Sequence, residues 1–201
     1  MAGLDRLLAK SLDSIIRENL GDKTIQKIED RLFEKHGISL TQSFEQFEKL
    51  DAVLREFFGG GATGLEQRFL KNVCEIKVVD GENWVLIENP TLIKIILESY
   101  GDDDKKRILG TLNGEPMIIS QIIERCGIPQ TSGYRKVNAL IDNGLLVSAG
   151  YASPDGKKVT KYRSVLDSIK INIIKSKISA TLHLPRDDFG SSSVLTVCSS
   201  N

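Results

Sequence analysis

The chain reads as a mainly α-helical protein with small β-hairpins, in two unequal parts. An N-terminal helical bundle is followed by three short helices and a basic hairpin. Three observations carry this reading. Apolar residues recur at three- and four-residue spacing through most of the first hundred positions. Two stretches, around Asp80-Gly81 and around Ser153-Pro154-Asp155-Gly156, switch to strand patterns flanking turn residues. Charge also separates along the chain: residues 105 to 163 hold ten Lys+Arg and four Asp+Glu, a net of +6, whereas residues 1 to 104 hold thirteen and twenty, a net of −7. The overall net charge of zero therefore conceals a basic segment joined to an acidic one, which points to a nucleic-acid partner for one part only.

The N-terminal elements follow in order. Leu4, Leu7, Leu8, Leu12, Ile15 and Ile16 form one helical stripe that stops at Gly21. Ile25, Ile28, Leu32 and Phe33 share a face of a second helix, closed by Gly37. Thr41 is the candidate cap of a third helix carrying Phe44, Phe47, Leu50, Val53, Leu54, Phe57 and Phe58, which ends in Gly59-Gly60-Gly61. A helix leads into these glycines, and no Gly-Lys-Ser/Thr follows. They are therefore a helix stop, not a phosphate loop. Leu65 to Val73 forms a short fourth helix, and residues 75–88 a hairpin closed by Asp80-Gly81. Asn89 caps the next helix, with Pro90 in its first position.

Asp102, Asp103 and Asp104 open the first helix of the basic segment, where negative charge suits the helix dipole. Met117, Ile118 and Ile119 form an apolar link, and Ser120 is expected to cap a second helix with Ile122, Ile123 and Cys126 inward. Gly127-Ile128-Pro129 makes a tight turn. A third helix then runs from about Gln130 to Asn143, anchored by Val137, Leu140 and Ile141. Its other positions are Gln130, Thr131, Ser132, Tyr134, Arg135, Lys136 and Asn138, residue types that reach base edges and phosphates. A hairpin follows whose tip and return strand carry Lys157, Lys158, Lys161 and Arg163, the basic decoration that a phosphate- or minor-groove-contacting wing requires. Helix, turn, helix and wing in this order predict a winged helix-turn-helix. Two roles stay open for Tyr134, DNA contact or packing on the wing, and two for Lys157 and Lys158, phosphate contact or simple solubility of a hairpin tip.

Residues 118–146, "IISQIIERCGIPQTSGYRKVNALIDNGLL", with the following "GYASPDGKKVTKYRS", resemble the winged helix-turn-helix of ArsR-like and MarR-like transcriptional regulators. Together with "ENLGDKTIQKIEDRLFEKHGISL", the chain resembles a group of archaeal winged-helix regulators. The resemblance implies DNA-facing roles for Gln130, Thr131, Ser132, Tyr134, Arg135 and Asn138, with Lys157 and Lys158 as wing contacts. Metal sensing, known among ArsR-like proteins, is not implied, because Cys74, Cys126 and Cys198 are scattered and only His36 and His183 could join them.

The expected organisation is a helical dimerisation or sensor domain at 1–99, a DNA-binding domain at 100–184 and a disordered, Ser- and Asp-rich tail at 185–201. Within the second domain Ile169, Ile171 and Ile173 alternate as in a half-buried strand. A phase slip near Ile174 suggests a bulge or break, in a strand that either extends the wing sheet or pairs with a partner subunit. The Leu4–Ile16 stripe has too little to bury against in so small a bundle, so the N-terminal helices are expected to form a homodimer on double-stranded DNA. No apolar run reaches the roughly 18–20 residues of a membrane span, and no signal-peptide pattern opens the chain, so a cytoplasmic location is expected. No cofactor, metal or small-molecule effector is indicated. No Ser/His/Asp, Cys/His or paired-carboxylate arrangement marks an enzyme. The alternative function is a protein-interaction module within a larger transcription or chromatin assembly.

Overall fold

A computed structural model describes residues 3–79, 81–112, 114–153, 156–192 and 194–196. The chain is mixed α/β and predominantly helical, with two small antiparallel sheets. The elements are α1 (Gly3–Leu20), α2 (Asp22–His36), α3 (Leu40–Phe44), α4 (Phe47–Phe58), α5 (Ala62–Lys71), β1 (Glu75–Val79), β2 (Glu82–Ile87) and α6 (Pro90–Gly101). Then follow α7 (Asp103–Thr111), β3 (Met117–Ile118), α8 (Ile119–Cys126), α9 (Gln130–Asp142), β4 (Leu146–Ala152), β5 (Val159–Ser164), β6 (Ser168–Ile174), β7 (Lys177–His183) and α10 (Arg186–Ser191).

α1 is the central helix of the N-terminal part. It packs on α2, α3, α5 and α6, and Leu4, Leu7, Leu8, Leu12 and Ile16 are fully buried. The stripe expected to seek a second copy therefore finds its partners within the chain, and the premise for dimerisation through it falls away. Phe33, expected on the buried face of α2, is 72% exposed, and Phe57 is 40% exposed, whereas Phe44 and Phe47 are core residues.

The expected third helix is two helices. The first of them is capped by Ser39, not Thr41: its hydroxyl accepts from the Gln42 amide while the Gln42 side chain accepts from the Ser39 amide. α3 then closes after one turn, and α4 restarts at Phe47. The glycine run is a single 3-10 turn that joins α4 directly to α5. Asn89 caps α6 as its sequence requires, its side chain accepting from the amides of Thr91 and Leu92.

The larger sheet has the order β1-β2-β7-β6. The slip after Ile173 is a two-residue reversal at Lys175 and Ser176, both at positive φ, so one expected strand is the hairpin β6–β7. That hairpin does not extend the wing sheet: β7 pairs with β2 of the N-terminal part, with Val85 opposite Leu182 and Ile87 opposite Ala180. α6 packs on β7. Residues 168–183 thus belong to the sheet of residues 75–87, against the expected division at 99/100.

The second sheet, β3-β5-β4, closes the C-terminal segment. The apolar link at Met117–Ile118 is its first strand, paired with Tyr162 and Lys161. Beyond it, the expected tail is built in: α10 docks by Asp188, and Ser192, Val194 and Leu195 are buried. The Asp80 and Pro154-Asp155 parts of the two expected turns, Asn113 and residues 197–201 lie outside the described residues. No helix among the described residues is long and apolar enough to cross a membrane.

Candidate nucleic-acid interface

The candidate site is built on α7, α8 and α9 and on the β4–β5 hairpin. Asp102 starts α7, its Oδ1 accepting from the amides of Asp104 and Lys105 at 3.0 Å each. Arg107 ties the far side of α7 to α8 by donating to the Cys126 carbonyl at 2.8 Å. Cys126 is buried, with its Sγ 3.4 Å from the Thr111 hydroxyl, a core position as its helical spacing indicates.

α8 begins at Ile119, so Ser120 lies inside it. The Gln121 side chain, not Ser120, accepts the Ile118 amide. Gly127 ends α8 at φ 61, and the chain turns through Ile128 and Pro129 into α9. The two helices cross closely at Gly133, where a methyl group would lie 2.7 Å from the Ile123 side chain. Val137 and Leu140 are buried beneath α9.

The helix therefore presents one solvent face. Thr131, Tyr134, Arg135 and Asn138 are exposed along it, Gln130 is exposed at its start, and Asp142 is exposed at its C-terminal end. Ser132 is half-buried off this face. Lys136 departs furthest from expectation. Its Nζ lies 2.8 Å from Asp102 Oδ1 and 2.8 Å from Asp104 Oδ2, with only 14% of its side chain exposed. The hydrogen bond to Asp102, then that to Asp104, raises the lysine pKa, and the same contact with Lys136 lowers that of Asp102. Lys136 is a bracket between α9 and α7, not a group facing a ligand.

In the hairpin, Ser148 pairs with Tyr162 and Tyr151 with Thr160, so β4 carries one extra residue across that interval. Lys157 and Lys158 are exposed beyond it, and the Lys158 ammonium sits 3.8 Å above the Tyr151 ring. Lys161 is half-buried on β5 opposite Ile118. Arg163, read from sequence as hairpin decoration, points instead to the C-terminal helix, donating Nη1 to Asp188 Oδ2 at 2.6 Å and Nη2 to Asp188 Oδ1. That pairing raises the arginine pKa against its partial burial. Tyr151 and Arg125, the latter at the end of α8, are also exposed and were missed in the sequence. The signal for Tyr151 was an aromatic residue shortly before a turn with two lysines just after it.

The local charge is also less one-sided than residue counting indicates. Lys106, Arg107, Lys136 and Arg163 pair with Asp103, Asp104, Asp102 and Asp188, carboxylates outside the counted segment. Lys105, Arg125, Arg135, Lys157 and Lys161 form no ion pair among the described residues.

Elsewhere, polar groups converge near the Trp84 hairpin. His183 has Nε2 2.9 Å from Glu82 and Nδ1 3.5 Å from Asp167, and its ring centroid is 4.9 Å from that of Trp84. Among the described residues no group of three or more His, Cys, Asp or Glu could hold a metal ion. Compared with known proteins, the chain matches no family model and no curated sequence.

Proposed function

We propose that the chain is a sequence-specific, double-stranded DNA-binding transcriptional regulator, with residues 103–164 forming a winged helix-turn-helix of the ArsR-like and MarR-like kind. It acts by binding without chemistry. α9 would lie in the major groove, and the β4–β5 wing would meet the backbone or minor groove. The observation that carries this reading is the common exposed face of Thr131, Tyr134, Arg135 and Asn138 beside a wing tip bearing Lys157 and Lys158. Arginine can bond bidentately to guanine and asparagine to adenine, while lysines hold register on phosphates. Asp142 at the C-terminal end of the same face would repel phosphate, which restricts groove contact to the first two turns of α9. The proposal includes action as a homodimer in the cytoplasm.

The test is selection of bound duplexes from a random DNA pool at low and near-physiological salt. A recovered motif that survives the higher salt supports the reading. Binding without a motif that vanishes with salt defeats it.

A second reading, a protein-interaction module, is favoured by the tying of Lys106, Arg107, Lys136 and Arg163 to carboxylates. It predicts a stable heteromeric complex that survives nuclease treatment.

A further inference from the structure

The larger sheet ends on β6, and that edge is built unlike a protected one. Exposed edges are normally guarded by proline, inward charge or a covering element. β6 contains no proline, and its single charged residue, Lys170, is drawn back over the Trp84 ring at 4.2 Å. Most of the strand is exposed, including Ile171 at 38%, Ile173 at 69% and Ile174 at 69%.

The hydrogen bonding of the sheet follows from its turns. The two-residue reversal closes on Ile174 opposite Lys177, which must be a hydrogen-bonded pair. Alternation then directs the backbone groups of Lys170 and Asn172 to β7 as well. Ile169, Ile171 and Ile173 turn their N–H and C=O groups to the open edge. Their side chains lie on the inner face of the sheet, in the rows of Leu182, Ala180 and Ile178. An open backbone edge and an apolar side-chain row therefore belong to the same three isoleucines.

We propose that this edge binds β6 of a second copy of the chain, antiparallel, with Ile171 opposite Ile171 on the two-fold axis. This register overlaps all seven residues of each strand. It sets Ile169 against Ile173 and Lys170 against Asn172, so every open backbone group of the isoleucines finds a partner, and no charge faces its like. A shift one way places Lys170 directly opposite Lys170, which costs stability. A shift the other way shortens the overlap and leaves Ser168 and Ile169 unpaired. Avoidance of a like-charge pair and strand length thus select one self-complementary register. The product is an isologous dimer with one continuous eight-stranded sheet. It uses neither the buried α1 stripe nor the α9 face, so it stands independently of DNA binding.

The experiment is sedimentation equilibrium of the full chain over a wide concentration range. The wild-type chain should pass from monomer to dimer mass. Ile171→Lys and Ile171→Glu should each raise the dissociation constant by about tenfold or more, because each sets like charges opposite one another. An equimolar mixture of the two variants should regain a dimer containing one of each, since residue 171 faces itself. This mixing also separates loss of the interface from loss of the fold, because a misfolded variant would not be rescued by its counterpart. A wild-type chain that is monomeric throughout would overturn the proposal, as would variants that dimerise unchanged or a mixture that stays monomeric. Monomers that capture an extended peptide at this edge would overturn it in favour of a different occupant.

Discussion

Gly3 and Gly144 meet backbone to backbone. A methyl group on Gly144 would lie 2.3 Å from the Gly3 carbonyl oxygen and 2.6 Å from the Leu7 nitrogen, and Gly144 itself sits at φ +73. The first turn of α1 is thus seated directly on the exit from α9. Arg6 reinforces the joint by donating to the Ile141 carbonyl at 3.4 Å and to Glu45 at 3.0 Å. Gly144→Ala combines a disfavoured backbone conformation with a clash against main chain. It should cost about 2–5 kcal/mol in chemical denaturation. An unchanged midpoint would show that the two segments do not approach as described.

Arg135 and Lys136 are neighbours in sequence with opposite roles. Arg135→Ala should weaken binding to the selected duplex by about 1–3 kcal/mol while leaving thermal stability nearly unchanged. Lys136→Met should do the reverse, lowering the melting temperature with little change in DNA affinity, because it removes the bracket to Asp102 and Asp104. Measuring both quantities on both variants decides the assignment. Exchanged effects would refute it.

The wing lysines should act on every sequence alike. Lys157→Ala with Lys158→Ala is expected to reduce the salt slope of binding by about one unit for each phosphate no longer neutralised, and to leave base preference intact. Titrations at several salt concentrations read this directly, and an unaltered slope means the wing stays off the backbone.

Asp188 is mostly buried and receives both terminal nitrogens of Arg163. Asp188→Ala leaves that guanidinium without its partner. The expected loss is about 1–3 kcal/mol, below that of a fully buried pair because the arginine keeps some exposure. A neutral result in urea denaturation would mean α10 contributes nothing to the fold.

Glu66 on α5 is buried, and burial, followed by the hydrogen bond and charge of Asp51 on α4, pushes its pKa from 4.5 to about 7, against the pull of Arg55. Between these values the folded chain retains a proton that the unfolded chain has released. Stability should therefore fall as pH rises through this window and level off above it. Glu66→Gln keeps the neutral form at all pH and should flatten the profile; thermal melts at pH 5 and pH 8 compare the two.

Local patterns are legible in the sequence. Helical spacing locates α1, α2 and α6, the Asn89-Pro90 cap lies where it is expected, and α9 spans nearly its predicted length. Association over distance is not legible. Ile169 to Leu184 looks like one slipped strand because a two-residue reversal without glycine gives no turn signal, and nothing local reveals that β7 will join β2. The Ser- and Asp-rich C-terminal stretch reads as a disordered tail until Asp188 meets Arg163 and Ser192 meets Asp5. Within the candidate site, residue type singles out Lys136 as readily as Arg135. Only their positions around α9 separate the exposed side chain from the one held by α7.

The hydrogen bond from Ser192 to Asp5 joins positions 187 residues apart, inside the core that also receives Leu195. Its consequence is temporal. α1 is made before the other elements described, yet its buried carboxylate and its seat on Gly144 are completed only by segments made much later. The apolar stripe of the helix can pack early on α2, α3, α5 and α6, but its first turn must wait, with Asp5 lacking its Ser192 partner and Gly3 its seat on Gly144. High sequence separation of this kind slows folding and lengthens exposure to non-native association. Nascent fragments ending before residue 144 are therefore expected to engage chaperones, and release from them should coincide with delivery of the C-terminal segment.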